Sequence, residues 1–403
     1  MSSTIAEPDA DPPSLQLYSG QPQHEAFAAM GALFPTSTLH PSSSPHRFDP
    51  GDQIALPEAF SFGSSMLSTT EFLDATDTAA LLVLHHGRTR FEQYWLTGGP
   101  DVAWISWSMA KSFISALIGI AVAEGAIRTI EDPVSDYVPE LAGSAYDGVS
   151  IRAVLEMSSG ARWNEDYSDQ SSDINRFGAA LAGGSSLLEF VAGMQSERPP
   201  RTLCQYNSAD TQVLGHVLIA ATGQPVTDYM QDRLYEPLGM ESSGAWLLDR
   251  DGVEMAFGGL TMTARDYAKL GELFRHKGEW NGTQLVPRDW VAASTISNEE
   301  HLAVGKVIVG GTSSRSATDS SGGSPMEIAA SSRRSVSTTS SPTSIPRRTP
   351  RSSSSRRTAG TGYPPKRSTT AKRPPSSSSE HSSPSSTETS DRQRRPPHNG
   401  ART

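Results

Sequence analysis

One cysteine in 403 residues, Cys204, leaves no partner for an intrachain disulfide and no thiolate set for a structural metal site. A reducing, intracellular compartment fits such usage. No apolar run reaches the roughly 18 to 20 residues that a membrane span requires. The longest, Phe113 to Ala123, is interrupted by Ser115 and Gly119. The N-terminus, Met1 to Pro13, is acidic and proline-rich where an export signal needs a basic start and an apolar stretch. A cytoplasmic protein without membrane contact is expected. Also missing are a Gly-x-Ser-x-Gly elbow, a His-Glu-x-x-His pair and a glycine-rich phosphate loop. An α/β-hydrolase nucleophile, a zincin and a nucleotide-binding enzyme therefore lack support, and no metal or cofactor is expected. His85-His86 reads as a turn feature and Cys204 as a small buried apolar residue.

The net charge of −10 hides an asymmetry. Residues 311 to 403 hold 16 Lys and Arg against 5 Asp and Glu, whereas residues 1 to 310 hold 18 against 39. The last 93 residues contain 27 Ser and 11 Pro, no Leu, Phe or Trp, and one aromatic, Tyr363. A segment so poor in apolar surface cannot offset its ordering entropy and is expected to be disordered. Three regions result: an N-terminal extension (1–55), a body (56–305) and a Ser/Arg/Pro-rich tail (306–403).

Within the body, Thr78 to His85 is an apolar run closed by His86-Gly87 and followed by Arg90 to Trp95, the pattern of a β-hairpin. Ser106 to Glu124 is apolar at nearly every position, which in a helix of ordinary length means burial at the protein centre. Gly125 supplies its stop. Further helices are signalled at Ser150 to Met157, Ala209 to Thr222 with its stop at Gly223, Arg265 to Phe274 and Arg288 to Ser294. A short one is signalled at His24 to Leu33.

The chemistry rests first on Ser108-Met109-Ala110-Lys111. Helical positions i and i+3 share a face, so the lysine amine comes within reach of the serine hydroxyl. Of six lysines, only Lys111 has a serine three positions before it, and it stands in the helix whose burial would matter. Burial disfavours an ammonium and frees a neutral amine to act as a base. Serine needs such a base because a free hydroxyl is a weak nucleophile. The helix start adds backbone N–H groups suited to a developing oxyanion. A second element, Gln205-Tyr206-Asn207-Ser208, precedes the Ala209 helix, and Tyr206 is the candidate proton shuttle between nucleophile and leaving group. Between them, Trp163-Asn164-Glu165-Asp166-Tyr167 reads equally as a loop whose Tyr167 touches substrate or as an exposed acidic loop. No catalytic role falls to Glu165 or Asp166 on this reading.

Ser108-x-x-Lys111 followed by Tyr206-x-Ser208 resembles the penicillin-recognising serine hydrolase superfamily. Within it, class C β-lactamase-like esterases and 6-aminohexanoate-dimer hydrolases are the most similar. The phrases Asp132-Pro133-Val134-Ser135-Asp136-Tyr137, Leu155-Glu156-Met157-Ser158-Ser159-Gly160 and Gly258-Gly259-Leu260-Thr261-Met262-Thr263-Ala264-Arg265-Asp266 extend the likeness over about Leu56 to Ser294. The resemblance implies an α/β fold with an antiparallel sheet flanked by helices beside a helical subdomain, and a site in the cleft between them. It implies an acyl-enzyme on Ser108, Lys111 and Tyr206 as acid/base pair, and Tyr167 and Ser208 at the substrate. Ser208 stands where β-lactamases of this class have asparagine. That departure favours an ester or short amide over a β-lactam.

The family's third element, a Lys-Thr-Gly or variant on a late strand that also supplies an oxyanion N–H, has no convincing counterpart. His398-Asn399-Gly400 matches one variant by letter but lies in the tail. The C-terminal strands are read as missing. A reading frame shifted near Lys306 to Thr312 explains the loss of Leu, Phe and Trp, and translating the gene's other two frames for alternating apolar strands tests that reading. A different class stays open: an inactive scaffold whose basic tail binds a polyanion, although the body itself is not expected to bind nucleic acid.

Overall fold

The computed structural model describes residues 23–296 and 299–303. The tail, its His398-Asn399-Gly400, the missing strands and the frame reading all lie outside the described residues.

A four-stranded antiparallel sheet runs in the order Thr36–Leu39, Gly244–Leu247, Leu260–Thr263, Ala103–Ile105. Thr36 pairs with Leu247, Ala245 with Thr261, and Ala103 with Thr263. Its first strand comes from the segment read as an N-terminal extension, so that segment is in part a strand of the sheet. The Gln23–Leu33 helix of the same segment sets Phe27 edge-on to Trp107, with ring centroids 5.5 Å apart.

The expected hairpin is present as Ala80–His85 against Arg88–Tyr94, with a bulge between Val83 and Leu84. Its turn residues His86 and Gly87 adopt φ of 51° and 70°, the left-handed pair of a two-residue hairpin loop. Asp49–Pro50 adds a short parallel strand, making a separate three-stranded sheet.

The central helix spans Ala110–Ala123, and Phe113, Ile114, Leu117 and Ile118 are fully buried. Each such side chain contributes about 1.5–3 kcal/mol by leaving water. The helix starts later than the sequence predicts, because Trp107–Met109 forms a 3₁₀ turn ahead of it. Residues three apart eclipse in a 3₁₀ turn, so Ser108 and Lys111 still meet. Gly119, which interrupts the apolar run, is where Trp290 of the Arg288–Thr295 helix lies flat; a Cβ there would come within 2.6 Å of the indole.

The Ser208–Thr222 helix packs beside the central helix. Asn207 caps it by accepting from Ala209 N at 2.9 Å, and Gly223, at φ 69°, ends it. The Asp173–Ala182 and Leu187–Ala192 helices, which sequence reasoning did not find, close the helical side. No helix among the described residues is long and apolar enough to cross a membrane.

Candidate active site

Ser108 stands at the point where the Ala103–Ile105 strand turns into the central helix. The turn is tight: Trp107 takes φ 43°, a region that costs a bulky residue on the order of 1–3 kcal/mol. It is held open by Ser106, whose N–H donates to Leu260 O at 2.6 Å and whose hydroxyl donates to Trp107 O at 3.0 Å. Strand register thus fixes where the Ser108 hydroxyl points.

Lys111 Nζ lies 3.1 Å from Ser108 Oγ and donates to Phe257 O at 2.7 Å. The residue keeps some contact with the cleft, but its amine is enclosed by protein. Burial lowers the Lys111 pKa to about 8, against an opposing pull from the Glu165 carboxylate. A carbonyl can accept a hydrogen bond but cannot neutralise an ammonium, so Phe257 O orients the amine without fixing its charge. Near pH 8 an amine so placed offers its lone pair to the serine hydroxyl.

The Tyr206 ring centroid is 5.3 Å from Lys111 Nζ. The ring is buried with Met157, Cys204 and Leu302. Behind it, Glu156 accepts from Arg201 Nε at 3.1 Å and lies 3.0 Å from His301 Nε2, which pins the chain around Leu302 to the back of the tyrosine loop. Cys204 is buried, and burial pushes its thiol pKa up, consistent with an inert apolar role.

A cleft opens over Ser108, lined by Trp107, Tyr167, Ile174, Ser208, Phe257 and Gly258. Both residues assigned to substrate, Tyr167 and Ser208, therefore border the space above Ser108. They meet on Glu165. That carboxylate, 1 % exposed, accepts from Ser208 Oγ and from Tyr167 OH, each at 2.7 Å, from Ser208 N at 3.2 Å, and from the Trp163 indole N–H.

The loop is therefore neither a plain acidic surface nor a bare substrate contact. Asp166 accepts from Ser168 N and Oγ at the surface, which lowers its pKa, while Glu165 turns inward. The aromatic residues two positions to either side of Glu165 were the available signal. Phe257 and Gly258 escaped sequence reasoning because a backbone carbonyl leaves no mark on residue type.

Asp210, one turn into the Ser208 helix, accepts from Tyr146 OH at 2.9 Å, Ser159 Oγ at 2.7 Å and Asn207 Nδ2 at 2.9 Å. Burial raises its pKa to about 7, with Glu165 adding to the rise. It ties the Ser158-Ser159-Gly160 turn to the helix that carries Ser208.

Residues 69–301 match the family model described as Beta-lactamase. Over 290 residues, covering 70% of this chain and 72% of the relative, the sequence is 29% identical to the 6-aminohexanoate-dimer hydrolase of Paenarthrobacter ureafaciens. It is 29% identical over 146 residues to penicillin-binding protein 4 of Amycolatopsis lactamdurans, a match spanning 36% of each chain. Among solved structures, a Bacillus anthracis protein provisionally described as a 6-aminohexanoate-dimer hydrolase superposes with a TM-score of 0.65. That match has 22% identity and covers 73% of this chain and 80% of the other. The likeness extends to the fold.

Proposed function

This chain belongs to the beta-lactamase family, and we propose that it is a serine hydrolase that cleaves an ester or short amide through an acyl-enzyme on Ser108. Lys111, as the neutral amine, takes the Ser108 proton while Oγ forms a bond to the substrate carbonyl carbon. The carbonyl electron pair moves to oxygen, and N–H groups at the start of the helix stabilise that charge. On collapse the carbon–heteroatom bond breaks, Tyr206 hands a proton to the departing amine or alcohol, and the Lys111 ammonium returns its proton to Tyr206, which restores both groups. Water then adds to the acyl carbon, releasing the acid and restoring the Ser108 hydroxyl. Tyr167 and Ser208 bind the substrate, and no metal or cofactor enters.

One observation carries this reading: an enclosed amine 3.1 Å from a hydroxyl, held by a carbonyl rather than a countercharge. The likeness to a relative named for hydrolysis of a 6-aminohexanoate dimer supports a small substrate over a polymer. The lone cysteine supports a cytoplasmic setting. We also propose that this chain turns over slowly. The sequence after Tyr206 contains no Lys-Thr-Gly triplet, and loss of one oxyanion donor costs on the order of 10² to 10³ in rate.

Intact mass after treatment with a fluorophosphonate, followed by peptide mapping, tests the mechanism. A single adduct on Ser108, absent in Ser108→Ala, is expected. A folded sample without label on Ser108 overturns it and favours the scaffold reading. Fast turnover of a chromogenic short-chain ester, lost in Ser108→Ala, would contradict the slow-turnover part alone.

A further inference from the structure

Building on that hydrolase reading, we propose that Glu165 is a positioning residue of the site. Its carboxylate fastens the Trp163–Tyr167 loop to the start of the Ser208 helix and acts on Lys111 through space.

Donor counting excludes a base. Two oxygens receive four donors, the Ser208 hydroxyl and N–H, the Tyr167 hydroxyl and the Trp163 indole. These four donors fill the acceptor positions of both carboxylate oxygens and leave none free to take a proton from substrate or water. Among the described residues Glu165 makes no ion pair, so its charge is not cancelled at contact distance. The carboxylate accepts hydrogen bonds from the Tyr167 and Ser208 hydroxyls, which fixes their orientation at the cleft beside Ser108.

The groups facing Lys111 come from four places. Ser108 lies on its own turn, the Phe257 carbonyl and ring on the segment ahead of the Leu260 strand, the Tyr206 ring before the Ser208 helix, and Glu165 on the loop. Of these only Glu165 carries a full negative charge. Asp210 couples to Glu165 but is not among the charges acting on Lys111.

The consequence is chemical. When Lys111 takes the Ser108 proton it becomes an ammonium in an enclosed site, a state that burial opposes. Glu165 stabilises that ammonium through space. It also keeps the resting amine from falling further below its ordinary pKa, so its removal must move the ionisation of Lys111 to lower pH.

The rate of Ser108 acylation by a fluorophosphonate, followed against pH in the full chain, separates charge from anchoring. Glu165→Gln removes the charge and mismatches one donor pair. Its acid limb should move to lower pH, with a plateau lower by on the order of tenfold to a hundredfold from misplacement. Glu165→Asp keeps the charge, and Ser208→Ala keeps it while deleting one donor; both should slow the plateau and leave the limb where the wild type has it. An unmoved limb in Glu165→Gln, or a limb in Glu165→Asp that shifts as far, overturns the proposal. Should the Gln variant not fold, a shifted limb in Asp or Ala alone overturns it, and unshifted limbs with slower plateaus support it. A wild-type chain that takes no label overturns the hydrolase reading itself, an outcome distinct from all of these.

Discussion

Among the described residues two lysines have enclosed amines, and their surroundings differ in kind. Lys269, fully buried on the Ala264–Arg275 helix, sits 2.9 Å from Asp266 and 3.3 Å from Glu241 and donates to Gly239 O at 2.7 Å. Lys111 has a carbonyl and a hydroxyl in contact and its one opposing charge, Glu165, at a distance. A lysine paired at contact distance with two carboxylates holds structure together. An amine enclosed without a countercharge in contact, its pKa lowered to about 8, can exchange a proton near neutral pH. The difference between a structural and a chemically competent lysine lies in what fills the last hydrogen-bond positions around Nζ.

The largest test is to remove each in turn. Lys111→Met should lower the rate of Ser108 labelling by about 10² to 10⁴, the span general-base removal usually costs. Lys269→Met should leave labelling per folded molecule unchanged. In the wild type, labelling should rise as pH increases through about 8, where the Lys111 amine loses its proton.

Stability should respond in the opposite sense. Lys269→Met leaves Asp266 and Glu241 uncompensated and should cost about 3–5 kcal/mol in denaturant unfolding. Lys111→Met should stabilise, by up to about 3 kcal/mol at pH 7, since a drop from 10.5 to about 8 is a penalty on the buried charge. The sign follows from the depressed pKa. The penalty is constant below pH 8, shrinks between 8 and 10.5, and vanishes above, so the gain over wild type should fade across that window. A gain that persists at pH 11 would show packing, not charge, to be its source.

Smaller effects probe the two helices that carry these lysines. Gly119→Ala would ordinarily favour a helix by about 1 kcal/mol, but the Trp290 ring occupies the space. A net loss of about 1–3 kcal/mol is expected. Combining it with Trp290→Ala should restore the normal sign. Thr263 caps the Lys269 helix by accepting from Asp266 N and donating to its carboxylate at 3.0 Å, so Thr263→Ala should cost about 1 kcal/mol in thermal unfolding. Labelling of Ser108 should not change.

Much of the frame was legible where a single segment carries its own signal. The hairpin with its His86-Gly87 turn, the all-apolar central helix, and the Ser208 helix between Asn207 and Gly223 each rest on local periodicity and end residues. The strands Thr36–Leu39, Gly244–Leu247 and Leu260–Thr263 did not show, because four residues with mixed polarity set up no period. Lys269 illustrates the same limit. Beside Asp266 at i+3 it reads as a surface ion pair, and only the packing of residues 239–241 encloses it.

By itself the sequence determined that Ser108 and Lys111 meet, since three residues along a helical turn bring two side chains together whatever surrounds them. The resemblance it carries pointed to Tyr167, Tyr206 and Ser208, of which Tyr167 and Ser208 line the cleft over Ser108. The tertiary structure decided the state of the amine. Phe257 is 146 positions from Lys111 and Glu165 is 43 from Ser208, and no local pattern encodes such approaches. Proximity is a property of the chain's geometry. Proton affinity is set by the desolvation, carbonyls and charges that distant segments bring to one atom.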